Sequence, residues 1–408
     1  MASLKCEVVE LEILTHPDAD ALEIAKVKGY QSIVRKGQFE TGDLAVYIPE
    51  QSIVPEWLLR RLNLWDDDKG KGKLAGSNGD RVKAVKLRGV TSHGLIYPLT
   101  YRAPYVSVVA RGGILHDNEG WLMDCNCNQF ILETVNEGQD VTEKLGIVKW
   151  EPPIPVAMAG EVVALAGKTL GYDIENIKNF PEVAEALMAL NIDCHITEKL
   201  HGTWCCLGIW PEDLHDEIPY KRVIVTSKGL SGKGLAFKDN EANVNNLYMR
   251  IFKSICPDEA SFSRNFKYTG HCMGEIDKRV PIFFLGEVYG KGVQDLQYGL
   301  NDIHFRLFDI YEGFPGQGEY FTQKQVDIFV ETMDLPFERV PVLYTGKLTH
   351  KIIHELTDGK DNITGTHIRE GIVIRTLDKE YRNDKMGRVI LKSVSDDYIN
   401  RKNGTEYN

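Results

Sequence analysis

The sequence is 408 residues long, 43% hydrophobic and 26% charged, with a formal net charge of −11. That is an ordinary globular composition with room for two or three cores, and no run approaches the ~20 apolar residues of a membrane-spanning helix. The acidic balance argues against a coat protein that holds nucleic acid through a basic surface, yet leaves room for one local basic groove.

The opening stretch, Met1 to Glu7, lacks an apolar h-region, so no secretory signal and a cytoplasmic location are expected. The 8 cysteines are scattered with no Cys-x-x-Cys. Cys125-x-Cys127 is too close for the usual zinc spacing, and His271-Cys272 near Cys256 is a weak metal site. Reduced thiols used as small apolar residues are expected.

In chain order, Cys6 to Ile13 alternates as a strand, and His16-Pro17-Asp18-Ala19-Asp20 is turn chemistry. Strands are predicted at Ile24 to Lys28, Ser32 to Val34, Ala45 to Ile48, Val82 to Leu87 and Val90 to Tyr97, with a short helix over Trp57 to Leu64. Trp57 and Trp65 read as core or cover residues. Short strands with Gly-rich turns predict a small β-barrel. Asp117 to Gly120 reads as a turn, and Val141 to Gly146 as a short helix with a glycine stop. Glu151-Pro152-Pro153-Ile154-Pro155 is the best linker signal, so the expected domains are 1–150 and 151–408. Beyond it, helices are predicted at Phe180 to Leu190, Asn240 to Cys256 and Phe321 to Met333. Strands are predicted at Cys194 to Thr197, Thr203 to Trp210, Lys221 to Thr226, Pro281 to Val288, Phe305 to Tyr311, His367 to Thr376 and Arg388 to Leu391. Strands with interspersed helices define an α+β class.

The chemistry gathers around Thr197-Glu198-Lys199-Leu200-His201-Gly202-Thr203. A lysine at a strand end, beside a glycine that admits a close backbone approach, is placed to meet a ligand. To act as a nucleophile its amine must fall from a pKa of about 10.4, through burial or neighbouring positive charge. Attack on an activated phosphate also calls for further lysines, a divalent metal and carboxylates to hold it. Lys228, Glu287, Glu370 and Lys392 have those residue types.

Lys199-Leu200-His201-Gly202 resembles motif I of the covalent nucleotidyltransferases, in the lysine-x-histidine-glycine form of RNA ligases. Ser227-Lys228-Gly229 resembles motif Ia. Phe284 to Gly290, running into Gly292-Val293-Gln294, resembles motif III. Phe305 to Tyr311 resembles motif IIIa, Arg369 to Arg375 motif IV, and Arg388 to Ser393 motif V. The barrel-like part precedes these motifs, as in nick-sealing ATP-dependent RNA ligases. His16 to Glu23, and Val34 to Gly37 leading to Gly42 to Pro49, resemble OB-type barrels.

The resemblance implies an OB-fold-like nucleic-acid-binding domain followed by a nucleotidyltransferase domain. It implies ATP and Mg²⁺ or Mn²⁺ as cofactors. It further implies that Lys199 attacks the α-phosphate of ATP to give lysyl-AMP, that AMP passes to a 5′-phosphate, and that a 3′-hydroxyl then closes the break, with a duplex nick favoured over free ends. The resemblance also implies that Glu370 helps bind the metal, that Glu287 contacts the ribose and that Lys392 contacts the α-phosphate. It implies that Phe308 stacks on adenine, that Glu198 lines the base pocket, and that His201 and Gln294 position substrate or the pocket loop. The partner is nucleic acid with 3′-hydroxyl and 5′-phosphate ends, with no membrane and no obligate protein partner. Lys228 stands where the family carries arginine, which loses a bidentate fork. Motif V often has a second lysine where this chain has Val394, so that contact comes from Lys402 or a barrel residue, or is absent. Two alternatives stay open: a capping-type guanylyltransferase, and a non-catalytic protein that binds RNA ends.

Overall fold

In a computed structural model of the protein, residues 4–99, 120–124, 131–211, 221–256, 280–332, 335–377, 381–402 and 404–405 are described. Asp117 to Glu119 of the expected turn, Cys125-x-Cys127 and His271-Cys272 lie outside the described residues. The chain divides into two compact units, residues 2–151 with 178–181 and residues 152–177 with 182–408.

In the first unit the expected strand over Cys6 to Ile13 is two, β1 (Glu7–Glu10) and β2 (Glu12–Thr15), followed by β3 (Leu22–Val27), β4 (Tyr30–Arg35) and β5 (Leu44–Ile48). Helix α1 (Glu56–Arg61) precedes β6 (Val85–Leu87), β7 (Val90–Ser92) and β8 (Leu95–Pro98). Strand β5 lies between β1 and β8, antiparallel to both, and β2-β3-β4 form a second antiparallel set. Alternation along β1 and β5 serves two cores. Val8, Val46 and Ile48 pack with Leu58 and Leu59 of α1, whereas Val9, Ala45 and Tyr47 pack with Leu11, Ala25, Val27 and Val34.

The predicted strand over Val90 to Tyr97 is cut at Gly94, whose φ is +72°. A Cβ there would lie 2.5 Å from the Ile48 carbonyl oxygen, so the chain crosses the sheet edge only as glycine. Val141 to Gly146 is a succession of turns rather than a helix, with Leu145 N–H donating to Val141 O at 3.0 Å and Gly146 N–H to Glu143 O at 3.0 Å. His16 is the turn residue it was expected to be: it is 3% exposed, and its Nδ1 accepts the Asp18 N–H at 3.1 Å. Trp57 and Trp65 pack against the α1 core.

The second unit is built on two sheets. Helix α2 (Pro181–Ala189) leads into β9 (Asp193–Lys199), β10 (Thr203–Pro211), β11 (Lys221–Ser227), the single turn α3 (Lys228–Ser231) and α4 (Leu247–Ile255). Then come β12 (Ile282–Gly290), β13 (Ile303–Glu312), α5 (Gln323–Thr332), β14 (Val342–Lys347), α6 (His350–Thr357), β15 (Gly371–Thr376), β16 (Ile390–Val394) and α7 (Asp396–Ile399). One sheet runs from Glu175–Asn176 through β16, β15 and β9 to β14. The other runs β11-β10-β12-β13 to Glu319–Tyr320, with Glu338–Arg339 parallel to β13.

The run Ile282 to Leu285 is apolar without alternation because both faces of its sheet are covered. Phe284 packs with Leu207, Leu247, Phe252 and Phe329 on the helical side. Phe283 and Leu285 pack with Trp204, Cys206 and Tyr311 on the other. The helix predicted over Asn240 to Cys256 is shorter, because Asn246 caps α4 by accepting the N–H groups of Tyr248 at 3.0 Å and Met249 at 3.1 Å. Among the described residues, no helix is long and apolar enough to cross a membrane.

Candidate active site

Strand pairing assembles the centre. Lys199 ends β9 directly opposite Gly371, the first residue of β15. Gly371 has no room for a side chain, since a Cβ there would lie 2.1 Å from the Ser393 carbonyl oxygen of β16. The close packing of these three strands puts Glu370 beside Lys199, with Oε1 2.6 Å from Nζ. Lys392 sits on β16 opposite Val373 of β15.

Glu287 comes from the other sheet, on β12 opposite Trp204 of β10. The two sheets meet at the turn between β9 and β10. A Cβ on Gly202 would lie 2.2 Å from the Val288 carbonyl oxygen and 2.9 Å from Glu287 Cγ. Only glycine lets the lysine-bearing turn lie this close to the Glu287 strand. Lys228 opens α3, with Nζ 3.2 Å from Asp173 Oδ1.

These groups feel one another. Burial pushes the Glu287 carboxyl up to about 8, against the pull of Lys199, with Glu370 adding to the rise and Lys228 opposing it. Burial, helped by the positive charges of Lys199 and Lys228, holds the Lys392 amine down to about 8, against Asp173 and Glu370. A depressed lysine among other cations is a site short of negative charge, and an anion placed among them favours its charged form.

A second group of residues surrounds Glu198. Glu198 is 2% exposed. Its Oε2 accepts the Asn362 N–H at 2.8 Å, while Oε1 is buried without a hydrogen-bond partner. Burial raises its carboxyl to about 7, against the Asn362 N–H and the Arg369 charge. Arg369 holds the Asn362 loop in place, donating to Leu356 O at 2.7 Å and to Asn362 Oδ1 at 3.1 Å. Phe308, half-buried on β13, packs towards Leu200 and Tyr298 and lies 5.4 Å from the Tyr172 ring. An orphaned buried acceptor and a half-buried aromatic ring are the groups that a planar ligand carrying an amino group would call on.

His201 and Gln294 hold the turn itself. His201 is 3% exposed, with Nε2 2.8 Å from Asp295 Oδ1 and Nδ1 2.6 Å from the Tyr398 hydroxyl. Gln294 Nε2 donates to the Gly202 carbonyl oxygen. Both side chains are therefore engaged by protein groups. Lys402 is exposed.

Sequence reasoning missed the charged layer beneath. Asp309, fully buried on β13, accepts from Arg388 at 2.8 and 3.1 Å and from the Tyr172 hydroxyl at 3.1 Å. Arg375 of β15 stands 4.0 Å away. This network joins the two sheets below Phe308. An aspartate inside the apolar run Phe305 to Tyr311 was the available signal, since a charge there must be paired. Cys6, Cys194, Cys205 and Cys206 are free and buried. Burial raises the Cys205 and Cys206 thiols, which makes them inert packing groups. Among the described residues no three His, Cys, Asp or Glu side chains converge on a metal position. A hard cation here would rest on one or two carboxylates with the remaining positions taken by a bound phosphate and water, as Mg²⁺ commonly does.

Residues 192–394 match the RNA ligase family model and residues 6–99 match an OB-fold domain model. The chain belongs to the RNA ligase family of enzymes, with its ligase domain behind an OB-fold domain. Solved structures of a Naegleria gruberi RNA ligase share this fold at 22% identity. A lysine-to-alanine variant with ATP and Mn aligns with a TM-score of 0.69 over 97% of this chain and 98% of that one. The same ligase with PPi aligns with a TM-score of 0.68 over 98% of each chain. No curated protein sequence matches the chain.

Proposed function

We propose that the protein is an ATP-dependent RNA ligase that joins 3′-hydroxyl and 5′-phosphate ends, at nicks in duplexes, through lysyl-AMP on Lys199. The observation that carries this reading is the 2.6 Å pair of Lys199 and Glu370 in a cluster whose Glu287 and Lys392 both respond to Lys199 and Lys228. The Naegleria gruberi ligase structures with ATP and Mn, with AMP and Mn and with PPi supply the ligand classes.

In the proposed first step the Lys199 amine, having lost its proton, attacks the α-phosphorus of ATP. The bond to the bridging oxygen breaks and pyrophosphate leaves. A divalent cation supplies charge neutralisation for the triphosphate and a competing partner for Glu370. Lys392, its positive charge favoured by the arriving phosphate, stabilises the charge that grows on the α-phosphoryl oxygens. Glu287, protonated near neutral pH, donates to or accepts from a ribose hydroxyl. Phe308 stacks on adenine, and the orphaned Glu198 Oε1 accepts its exocyclic amino group. Lys228 meets the phosphate or the 5′-phosphate end as a point charge. In the second step a 5′-phosphate oxygen attacks the same phosphorus and frees Lys199. In the third, a 3′-hydroxyl attacks the activated 5′-phosphate and AMP leaves. The N-terminal OB unit holds the nucleic acid.

The test is sealing of labelled duplexes that differ only in the break. One set carries a 3′-hydroxyl/5′-phosphate nick with RNA, DNA or hybrid strands, and the other has free single-strand ends. Sealing of the nicked RNA with ATP and Mg²⁺ or Mn²⁺ is expected. Sealing of single strands alone would overturn the nick assignment. Covalent labelling by GTP and not ATP would favour a guanylyltransferase.

A further inference from the structure

The turn that carries motif I is held from outside. The His201 N–H donates to the Tyr298 hydroxyl at 2.6 Å, and the Gly202 carbonyl accepts from Gln294. The His201 ring is gripped between Asp295 and Tyr398, at 2.8 and 2.6 Å. Every one of these anchors lies in the 294–298 loop or in α7.

Asp295 is the point where those two segments join. Its carboxylate accepts from Arg401 Nε at 2.9 Å and from Arg401 Nη2 at 3.0 Å. It also accepts from the Thr405 N–H at 2.8 Å and the Thr405 hydroxyl at 2.9 Å. The Asp295 N–H in turn bonds Thr405 Oγ1 at 2.9 Å. Arg401 lies flat over Tyr398, 3.7 Å from the ring centroid, and donates to the Tyr398 carbonyl oxygen at 2.9 Å. The same tyrosine hydroxyl meets His201.

We propose that Asp295, tied by Arg401 and Thr405 of the C-terminal segment, is a positioning residue that fixes the motif I turn and with it the attack geometry of Lys199; this rests on the ligase reading above. Asp295 bonds His201, two residues beyond the nucleophile. It acts through His201 and through its neighbour Gln294. The alternative is that these bonds only fasten the end of the chain.

The two differ in what they change. A misplaced nucleophile slows the chemical step, because an error of about 1 Å costs on the order of 10²-fold. Nucleotide binding would be spared, since Glu198, Phe308 and Lys392 keep their own supports. A loosened tail lowers thermal stability and leaves the step alone.

The experiment is single-turnover formation of the covalent adduct from [α-³²P]ATP with Mg²⁺ over a range of ATP concentrations, using the full chain. Wild type is compared with Arg401→Ala, Arg401→Lys, Thr405→Val and Thr405→Ser, each with a thermal melt. The expected result is that Arg401→Ala lowers the maximal rate by about 10- to 100-fold, with half-saturating ATP nearly unchanged. Arg401→Lys and Thr405→Ser, which keep a donor to Asp295, recover most of the rate. Where Arg401→Ala loses its folding transition, Thr405→Val against Thr405→Ser carries the comparison. Wild-type rates in Arg401→Ala and Thr405→Val would overturn the inference, as would an effect on half-saturating ATP alone. A wild-type protein that takes up no label overturns the ligase reading itself.

Discussion

Replacing Glu287 by glutamine removes a carboxyl that the fold keeps protonated well above its ordinary range. Burial pushes this carboxyl from the ordinary 4.5 up to about 8. The native state therefore keeps a proton that the unfolded chain gives up above pH 4.5. The sign follows from linkage: the Glu287 contribution is fully present below 4.5 and is lost as pH climbs towards 8. At 1.36 kcal/mol per pH unit, the difference across that window is on the order of 4 kcal/mol. For a unit of this size that corresponds to roughly 10 °C in melting temperature. Glutamine keeps the shape and has no proton to lose. The assay is calorimetric melting of wild type and Glu287→Gln without nucleotide, at pH 5 and pH 8.5. Wild type should lose about 10 °C more than the variant between the two pH values. The Glu198 carboxyl, raised to about 7, titrates in both proteins and cancels in the comparison. Equal pH dependence in the two proteins would refute the reasoning.

Asp309→Asn leaves Arg388 and Arg375 without their buried anion, and should destabilise the protein by about 3–5 kcal/mol, read from the second unit's melting transition. Gly202→Ala forces a Cβ to within 2.2 Å of the Val288 carbonyl; adduct formation should slow on the order of 10²-fold, measured by single-turnover labelling. Glu198→Leu removes the orphaned acceptor, so wild type should prefer ATP over ITP by roughly 10- to 100-fold, the worth of one hydrogen bond to a charged group, and the variant should lose that preference in competition labelling.

The sequence made the local elements readable and the long-range ties unreadable. Lys199, Glu370 and Lys392 each lie in or beside a short run with strand patterning, so they could be placed on strands and matched to motifs. Their meeting at one centre follows from β9, β15 and β16 being neighbours in one sheet. Pairing of strands so far apart in the chain leaves no periodic trace. The same holds for Asp309 with Arg388, 79 residues apart, and for Asp295 with Arg401 and Thr405, 106 and 110 apart. Asp295 gave no local signal at all, since an aspartate in a loop reads as solvated. Where local expectation failed, a single residue decided. Gly94 breaks the strand after Ser92, and Asn246 starts α4 late. His201, matched to motif I by position, proves to be a buried link between the turn and α7, which only its ring contacts reveal.

Whether Lys199 is the nucleophile is decided by locating the adduct. Purified wild type, Lys199→Ala and Lys199→Arg are incubated with [α-³²P]ATP and Mg²⁺ or Mn²⁺, and the labelled peptide is mapped by mass spectrometry. AMP on Lys199 in wild type alone, released on addition of nicked RNA, is the predicted result. Label on another residue, or undiminished label in Lys199→Ala, would contradict it.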